Sequence, residues 1–206
     1  MKIVVFGGNE ENLGGVLSSG LENCLSLSRR TKPSLDVIDP YSVDVTIERE
    51  RPEAIIFAAI MYPELKCLGT IKDWEDINAL LDTKIKGCYI VLNAAINYGV
   101  KHFIVMAGSA VSKDPQLCHF TIVNSALWGM IQFATQHTFL DAYYLEMGVV
   151  LPSRIGEQYL GALSLEQQIG VRAAAITPCA IVQSVKSIFA GHYSRGARVV
   201  LNKGGV

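Results

Sequence analysis

The chain has 206 residues, 50% hydrophobic and 18% charged, so it is long and apolar enough to bury a substantial core and is not a disordered protein. Its net charge of −1 excludes a general attraction to nucleic acid or to anionic membranes. The longest apolar run, Ala54–Met61, is too short to span a bilayer. Five scattered cysteines without a CxxC spacing indicate a reducing, cytoplasmic location. We predict a single domain, residues 1–206.

Short apolar runs alternate with longer helical segments along the chain, which is typical of βα units around a parallel sheet. The predicted strands are, in chain order, Ile3–Phe6, Leu35–Ile38, Ala54–Ala59, His102–Met106, Tyr144–Leu151 and Arg198–Leu201. The predicted helices are Leu13–Leu21, Thr46–Arg51, Asp73–Tyr98, His119–Asp141, Leu165–Ala175 and Pro178–Ala190. This alternation predicts the α/β class, with a doubly wound parallel sheet of six or seven strands and helices on both faces.

A glycine-rich segment follows the first predicted strand and precedes the first helix. Its sequence is Gly7-Gly8-Asn9-Glu10-Glu11-Asn12-Leu13-Gly14-Gly15. A strand, a glycine-rich turn and a helix in this order present backbone N–H groups to a pyrophosphate. Asp39 closes the second predicted strand, at the place where an acidic residue binds a ribose hydroxyl in dinucleotide-binding proteins.

With these segments in place, nearly the whole chain resembles the short-chain dehydrogenase/reductase family. Gly8, Asn12 and Gly14 have the spacing of the family's TGxxxGxG turn, Asp44 resembles its aspartate near the adenine, and Ala58 lies in the strand that leads into its NNAG motif. Ile85–Val111 resembles the helix and strand that lead to the family's catalytic serine, and Phe120–Gly129 resembles its YxxSK helix. Met147–Pro152 resembles the strand that ends in Pro-Gly, and Ala197–Gly205 resembles the last strand. The resemblance implies a Rossmann-like fold that binds NAD(P).

The family transfers a hydride between a nicotinamide and a carbonyl or alcohol. A tyrosine passes the proton, a lysine four residues later lowers its pKa, a serine polarises the carbonyl, and an asparagine supports a water relay. The corresponding positions of this chain are Phe120, Asn124, Ser109 (one residue from the strict alignment) and Lys84. Phenylalanine has no proton to donate and asparagine has no charge, so ordinary carbonyl reduction is expected to be absent or very slow.

Two other residues are candidate substitute acids, namely His119 beside the phenylalanine and Tyr62 after the third predicted strand. A surface histidine and a loop tyrosine are the simpler interpretations, because neighbouring helix positions point about 100° apart and loops are solvated. The sequence has no HExxH motif and no His/Cys cluster, so no metal site is predicted.

The dinucleotide turn is itself altered. Asn12 replaces the middle glycine of the motif, and Glu10 and Glu11 place negative charge where an anion would bind. Asp39 disfavours a 2′-phosphate, so any dinucleotide is expected to be NAD rather than NADP. We expect NAD binding to be weak or absent.

Three functions are compatible with these residues: an inactive family member kept as a binding or assembly module, a divergent NAD(P)-dependent oxidoreductase with a substitute acid, or a sensor whose partner interaction depends on a dinucleotide. The two long helices, before Gly99 and after Phe120, have large apolar residues on more than one side, which predicts self-association. The resemblance implies a homodimer through these helices. We predict no nucleic-acid or membrane partner, and the sequence does not indicate a substrate.

Overall fold

The computed structural model describes residues 1–8, 12–59, 74–108, 118–151, 157, 160–161 and 163–201. In this part of the chain the strands are β1 (Ile3–Phe6), β2 (Cys24–Leu27), β3 (Ala54–Phe57), β4 (His102–Ala107), β5 (Asp141–Met147) and β6 (Arg198–Leu201). The helices are α1 (Leu13–Gly20), α2 (Pro40–Glu50), α3 (Trp74–Leu81), α4 (Gly87–Asn97), α5 (Cys118–His137), α6 (Leu165–Ala174) and α7 (Pro178–Phe189). The predicted α/β class is confirmed.

The strands form one parallel sheet in the order β2-β1-β3-β4-β5-β6. β1 and β3 are buried throughout, as expected of central strands that are covered on both faces. After β2 the chain crosses to the other side of β1 to form β3, so the strand order reverses at β1. In folds of this kind ligands bind at the carboxyl ends of the strands beside such a reversal.

Apolar side chains fill both sides of the sheet. Alternate residues of β1 point to opposite sides, so that Val4 belongs to one cluster and Val5 to the other. The first cluster joins the sheet to α2, α4 and α5 through residues such as Leu127, and the second joins it to α1 and α7 through residues such as Val185. The sheet is therefore doubly wound, as predicted.

The second strand lies at Cys24–Leu27, and the prediction of a strand at Leu35–Ile38 is wrong. Leu35 and Val37 are buried, but they pack against the core from an irregular segment. Asp39 is the N-cap of α2 and Pro40 its first residue, a pair that favours the start of a helix. Consequently α2 begins six residues before the predicted Thr46, and Asp39 does not end a strand.

The predicted helix at Asp73–Tyr98 is present as one continuous segment in which α3 leads through a π-helical turn, Asp82–Lys86, into α4. A π turn inserts an extra residue, which rotates the flanking side chains relative to each other, and such turns are frequent at functional sites. Gly87 follows the turn, and a Cβ there would lie 2.7 Å from a methyl carbon of Val37, so glycine permits the helix to pack closely at this point. The π turn contains Lys84.

The region after β5 also differs from the prediction. β5 begins at Asp141 and ends at Met147, while Val150 makes only an isolated bridge with Ile176. This bridge closes the base of the segment between the two residues, and α6 within that segment has no buried residue. None of the helices that the structure describes is long and apolar enough to cross a membrane.

Candidate functional site

The glycine turn is held against the ends of three strands. Gly7 has a φ of 97°, which favours glycine, and a Cβ on it would lie 2.1 Å from the Cα of Ala59, just after β3. A Cβ on Gly8 would lie 2.5 Å from the Cα of Gly14 and 1.9 Å from the Oγ of Ser26 in β2. Only glycine fits at these contacts, so the spacing Gly8–Gly14 has a direct structural reason. Ala58, predicted to bind the cofactor, precedes Ala59 and donates its N–H to the carbonyl of Phe6.

The amino end of α1 points into this turn. Asn12 is the N-cap, and its Oδ1 accepts a hydrogen bond from the Gly14 N–H at 3.0 Å. A pyrophosphate at a helix N-terminus accepts from the same kind of donor. The hydroxyl of Ser26 is buried beneath the turn with no hydrogen-bond partner among the described residues. The turn therefore has the close backbone packing that a dinucleotide requires, but Asn12 occupies one of the donors.

The carboxyl end of β2 brings Ser28, Arg29 and Arg30 beside the turn, since the N–H groups of Gly7 and Gly8 both donate to the carbonyl of Leu27. The Ser28 Oγ accepts from the Arg30 N–H at 3.1 Å, and both arginines are exposed. The sequence prediction did not include these residues because it placed the strand elsewhere.

Asp39 and Asp44, which were predicted to contact the cofactor, both belong to α2. The carboxylate of Asp39 caps the helix by accepting from Tyr41 N and Ser42 Oγ, and these hydrogen bonds, chiefly that of Ser42, lower its pKa. Asp44 lies in the second turn of α2. Burial, together with the nearby carboxylates of Asp44 and Glu48, raises the pKa of Tyr98. Asp44 therefore lies near the carboxyl end of α4, which Tyr98 caps. No described contact joins either aspartate to the glycine turn.

Phe120 and Asn124 lie one turn apart on α5. Phe120 is half-buried and packs against the cluster that joins α5 to the sheet. Asn124 is buried, and its Nδ2 would lie 3.1 Å from a Cβ placed on Gly108, at the end of β4. The two side chains share one face of the helix, as their spacing predicts. Phe120 is the residue that the resemblance aligns with the family's proton donor.

Lys84 is the buried cation of the site. Its side chain is 4% exposed, and its Nζ donates to the carbonyl of Met106 at 3.1 Å. Burial lowers the pKa of this amine to about 8, and the neighbouring Cys88 thiol opposes that shift only in part. Burial likewise raises the pKa of Cys88 to about 12. Relative to the pattern that the resemblance implies, the amine and the amide have exchanged helices: Lys84 stands where an asparagine is expected, and Asn124 where a lysine is expected.

Three polar side chains from different elements converge on the last residues of β4. Lys84 donates to Met106, Asn124 lies against Gly108, and the hydroxyl of Tyr144 in β5 donates to the Gly108 carbonyl at 2.9 Å. Sequence analysis missed Tyr144, which looks like any aromatic residue of a buried strand. Burial raises its pKa, and its proton is held by a carbonyl, so Tyr144 is not a substitute acid.

The remaining predicted residues are not described: Ser109 and Tyr62 lie outside the described residues, and so does the side chain of His119. Within the described ranges, no three His, Cys, Asp or Glu side chains form a group that could hold a metal ion.

No protein-family profile matches the sequence, and no curated protein matches it. Solved structures match over nearly the whole chain. A small-chain dehydrogenase in complex with NADPH is similar with a TM-score of 0.78 and 15% identity, covering 98% of this chain and 97% of that one. A short-chain type dehydrogenase/reductase from Mycobacterium ulcerans has a TM-score of 0.83 and 11% identity, covering 97% and 88%. The Bordetella bronchiseptica enzyme WbmH in complex with NAD+ has a TM-score of 0.70 and 15% identity, covering 98% and 75%. The chain therefore has the fold of short-chain dehydrogenase/reductase proteins.

The buried amine makes the stability of the protein depend on pH. Because folding lowers the pKa of Lys84 from 10.5 to about 8, the unfolded chain binds more protons between these values, and stability rises with pH across that range. A shift of this size corresponds to roughly 3 kcal/mol. Urea titrations of the wild type and of Lys84→Met measure this effect. We expect the difference between their unfolding free energies, wild type minus variant, to increase by roughly 3 kcal/mol between pH 7 and pH 10.5.

The exposed Lys86, in the same π turn, provides the matched control. The difference between the wild type and Lys86→Met should stay constant over the same pH range. A constant difference for Lys84→Met as well would show that the amine of Lys84 keeps its ordinary pKa in the folded protein.

Proposed function

We propose that this chain is a member of the short-chain dehydrogenase/reductase family that lacks ordinary carbonyl reduction and acts as a binding or assembly module. The observation that supports the proposal is Phe120. Hydride addition to a carbonyl leaves an oxyanion that must receive a proton, and an aromatic hydrocarbon packed on the core cluster has none to give. Tyr144 does not replace it, since its hydroxyl is bound to a backbone carbonyl.

The retained cation does not compensate for this loss. Lys84 supplies an amine near the end of β4, and in the family an amine assists by lowering the pKa of the tyrosine. Without a phenol at position 120, the described side chains on that face of α5 include no group whose pKa could be lowered. The site therefore keeps the electrostatic part of the family's machinery and lacks the proton donor.

The test is NADH and NADPH oxidation against a panel of aldehydes and ketones. We expect no turnover by the unmodified protein and slow turnover by Phe120→Tyr, because a general acid contributes about 10²- to 10⁴-fold. Phe120→Tyr/Asn124→Lys, which restores both family residues, should be at least as active. The control is Phe139→Tyr, which adds the same hydroxyl at an exposed position beyond the end of the same helix. Robust turnover by the unmodified protein would instead support a divergent NAD(P)-dependent oxidoreductase.

We also propose that the glycine turn binds a dinucleotide only weakly. The neighbours solved with NADPH and with NAD+ have the same fold, and the packing of Gly8 against Gly14 suits a pyrophosphate. However, the Asn12 side chain already accepts from the Gly14 N–H, so a phosphate has to displace it. Losing one hydrogen bond to a charged group weakens binding by about 1.5–3 kcal/mol.

Because β2 lies at Cys24–Leu27 and not at Leu35–Ile38, the expected preference between NAD and NADP changes. The argument for NAD depended on Asp39 at the end of that strand, where the structure has Ser28, Arg29 and Arg30 instead. Two exposed arginines follow β2, whose last residue contacts the turn, and arginine binds a 2′-phosphate with paired hydrogen bonds. We propose that any dinucleotide bound here is NADP rather than NAD.

Calorimetric titration tests both statements. We expect Asn12→Gly, which frees the Gly14 N–H, to bind NADP+ about tenfold more tightly than the wild type. Replacing Arg29 and Arg30 together by alanine in that background should remove the advantage of NADP+ over NAD+, whereas Asp39→Ala should leave it unchanged. Micromolar NAD+ binding by the wild type would overturn the weak-binding proposal.

We propose further that the protein is a homodimer through α4 and α5. Both helices cover the same side of the sheet, and their exposed residues include Tyr89, Ile122, Ser125, Gly129 and Phe133, which together are called the α4–α5 face. Tyr89, Ile122 and Phe133 are 62%, 63% and 65% exposed. On α5 the four residues of this face recur at helical spacing opposite the buried stripe, and small Ser125 and Gly129 permit close approach of a second helix. Self-association on a twofold axis would bury this face.

Light scattering at micromolar concentration decides the oligomeric state. We expect twice the chain mass of 22.4 kDa for the wild type and the mass of one chain for Phe133→Glu, because the substitution places an unpaired charge in the proposed apolar contact. Phe139→Glu is the matched control, since Phe139 is 61% exposed but lies beyond the end of α5. A wild-type mass of 22.4 kDa would contradict the dimer.

A further inference from the structure

A largely buried imidazole faces a carboxylate at the amino edge of the sheet, the edge opposite to the glycine turn. His102 begins β4, Asp141 begins β5, and the two residues are direct neighbours in the pairing of these strands. The Nδ1 atom of His102 is buried without a hydrogen-bond partner in the described part of the chain, and Oδ2 of Asp141 lies 3.7 Å from it. An unpaired buried nitrogen is unusual, and this one lies within about 1 Å of hydrogen-bonding distance to a carboxylate.

The same carboxylate also faces a permanent cation. Its Oδ1 lies 3.9 Å from the Nε of Arg195, in the segment before β6. The Nη2 of Arg195 donates hydrogen bonds to the carbonyls of Thr135 and Thr138, where α5 ends. Asp141 therefore connects the imidazole to a guanidinium that holds the end of α5, and neither of its two contacts is short enough to be a hydrogen bond.

We propose that His102, Asp141 and Arg195 form a pH-sensitive switch, the amino-edge switch, in which protonation of His102 closes its contact with Asp141 and alters the contact of Asp141 with Arg195. In the neutral form the imidazole and the carboxylate lie apart, at the separation that the structure has. In the protonated form the Nδ1–H group donates a charge-assisted hydrogen bond to Oδ2, which pairs the buried nitrogen. The proton comes from solvent and returns to it when the pH rises. Neither Phe120 nor the glycine turn takes part.

The charged groups around His102 come from several elements. Burial lowers the pKa of His102, so the imidazole is mainly neutral at pH 7, and Asp141 is the charge that opposes this shift most. Lys101, the preceding residue, adds to the lowering, whereas Glu53, next to β3, opposes it. Among the described residues, α7 contributes the uncharged ring of Phe189, whose centroid lies 5.8 Å from that of the imidazole. Removal of the Asp141 charge should therefore affect the proton affinity of His102 most.

The histidine is the member of the amino-edge switch that titrates in mildly acidic solution. An arginine stays protonated over this range, and a carboxyl group is ordinarily ionised above pH 5. Tyr143 lies on the same side of the sheet as Asp141. Burial and the Asp141 carboxylate raise the pKa of its phenol, and Arg195 offsets this only in part, so the phenol stays protonated. Changes of this cluster between pH 7 and pH 5 are thus assigned to His102.

An NMR titration of the wild-type chain between pH 8 and pH 5 tests the proposal. We expect the resonances of Asp141 Cγ and Arg195 Nε to shift with the same midpoint as the imidazole of His102. The Nδ1–H proton of His102 should become observable at pH 5, because a hydrogen-bonded proton exchanges slowly with water. The exposed His137 and His192 are internal controls, whose midpoints should not appear in either resonance. Resonances of Asp141 or Arg195 that do not follow His102 would overturn the proposal.

Two variants separate the amino-edge switch from a general effect of charge. Asp141→Asn keeps the size of the side chain but removes its charge, so we expect His102 to bind its proton about tenfold more weakly and Arg195 Nε to lose its response to pH. Glu53→Gln removes a carboxylate that acts more weakly on His102, and it should leave the response of Arg195 intact. An unchanged midpoint of His102 in Asp141→Asn would contradict the switch. The wild-type titration does not depend on the stability of either variant, and neither measurement depends on the proposed function.

Discussion

The hydrogen bond from Lys84 to the Met106 carbonyl is the interaction on which the candidate site depends. An amine removed from water requires acceptors, and the end of β4 offers one where its pairing with β3 has stopped. Gly108, just beyond β4, accepts a hydrogen bond from the Tyr144 hydroxyl and lies beside the Asn124 amide. A π turn, a helix and a strand from distant parts of the chain are thereby fixed to one short stretch of backbone.

This arrangement is compatible with the proposed loss of carbonyl reduction in a chain that keeps the fold. Relative to the pattern that the resemblance implies, positions 84 and 124 hold an amine and an amide in exchanged places, so one cation and one neutral polar group lie near the end of β4. The proton donor is a separate requirement, and no packing interaction enforces it, because Phe120 completes the apolar cluster without a hydroxyl. A phenol at the same place would need a hydrogen-bond partner when no substrate is bound.

Most of the fold could be predicted from periodicity, whereas β2 could not. Cys24–Leu27 is a short edge strand with only one fully buried residue, and Ser26 interrupts its apolar pattern. Leu35 and Val37 alternate like strand residues and are buried, yet Asp39 and Pro40 begin a helix directly after them. At the site, the resemblance singled out positions 120 and 124, and α5 places them one turn apart on one face. The approach of Lys84 to β4 depends on a π turn and on tertiary packing, for which the sequence has no local signal.

Packing accounts for the glycines of the first turn, which limits what their pattern indicates about function. Gly7 packs against the backbone after β3, and Gly8 packs against Gly14 and β2, so all three are required to join the strands to α1 even when no ligand is bound. A glycine pattern that packing alone would preserve is weak evidence for a dinucleotide. The hydrogen-bond donors are more informative, because packing does not determine whether they are free. At this turn the Gly14 N–H is taken by Asn12, and the charges that could compensate come from the residues after β2.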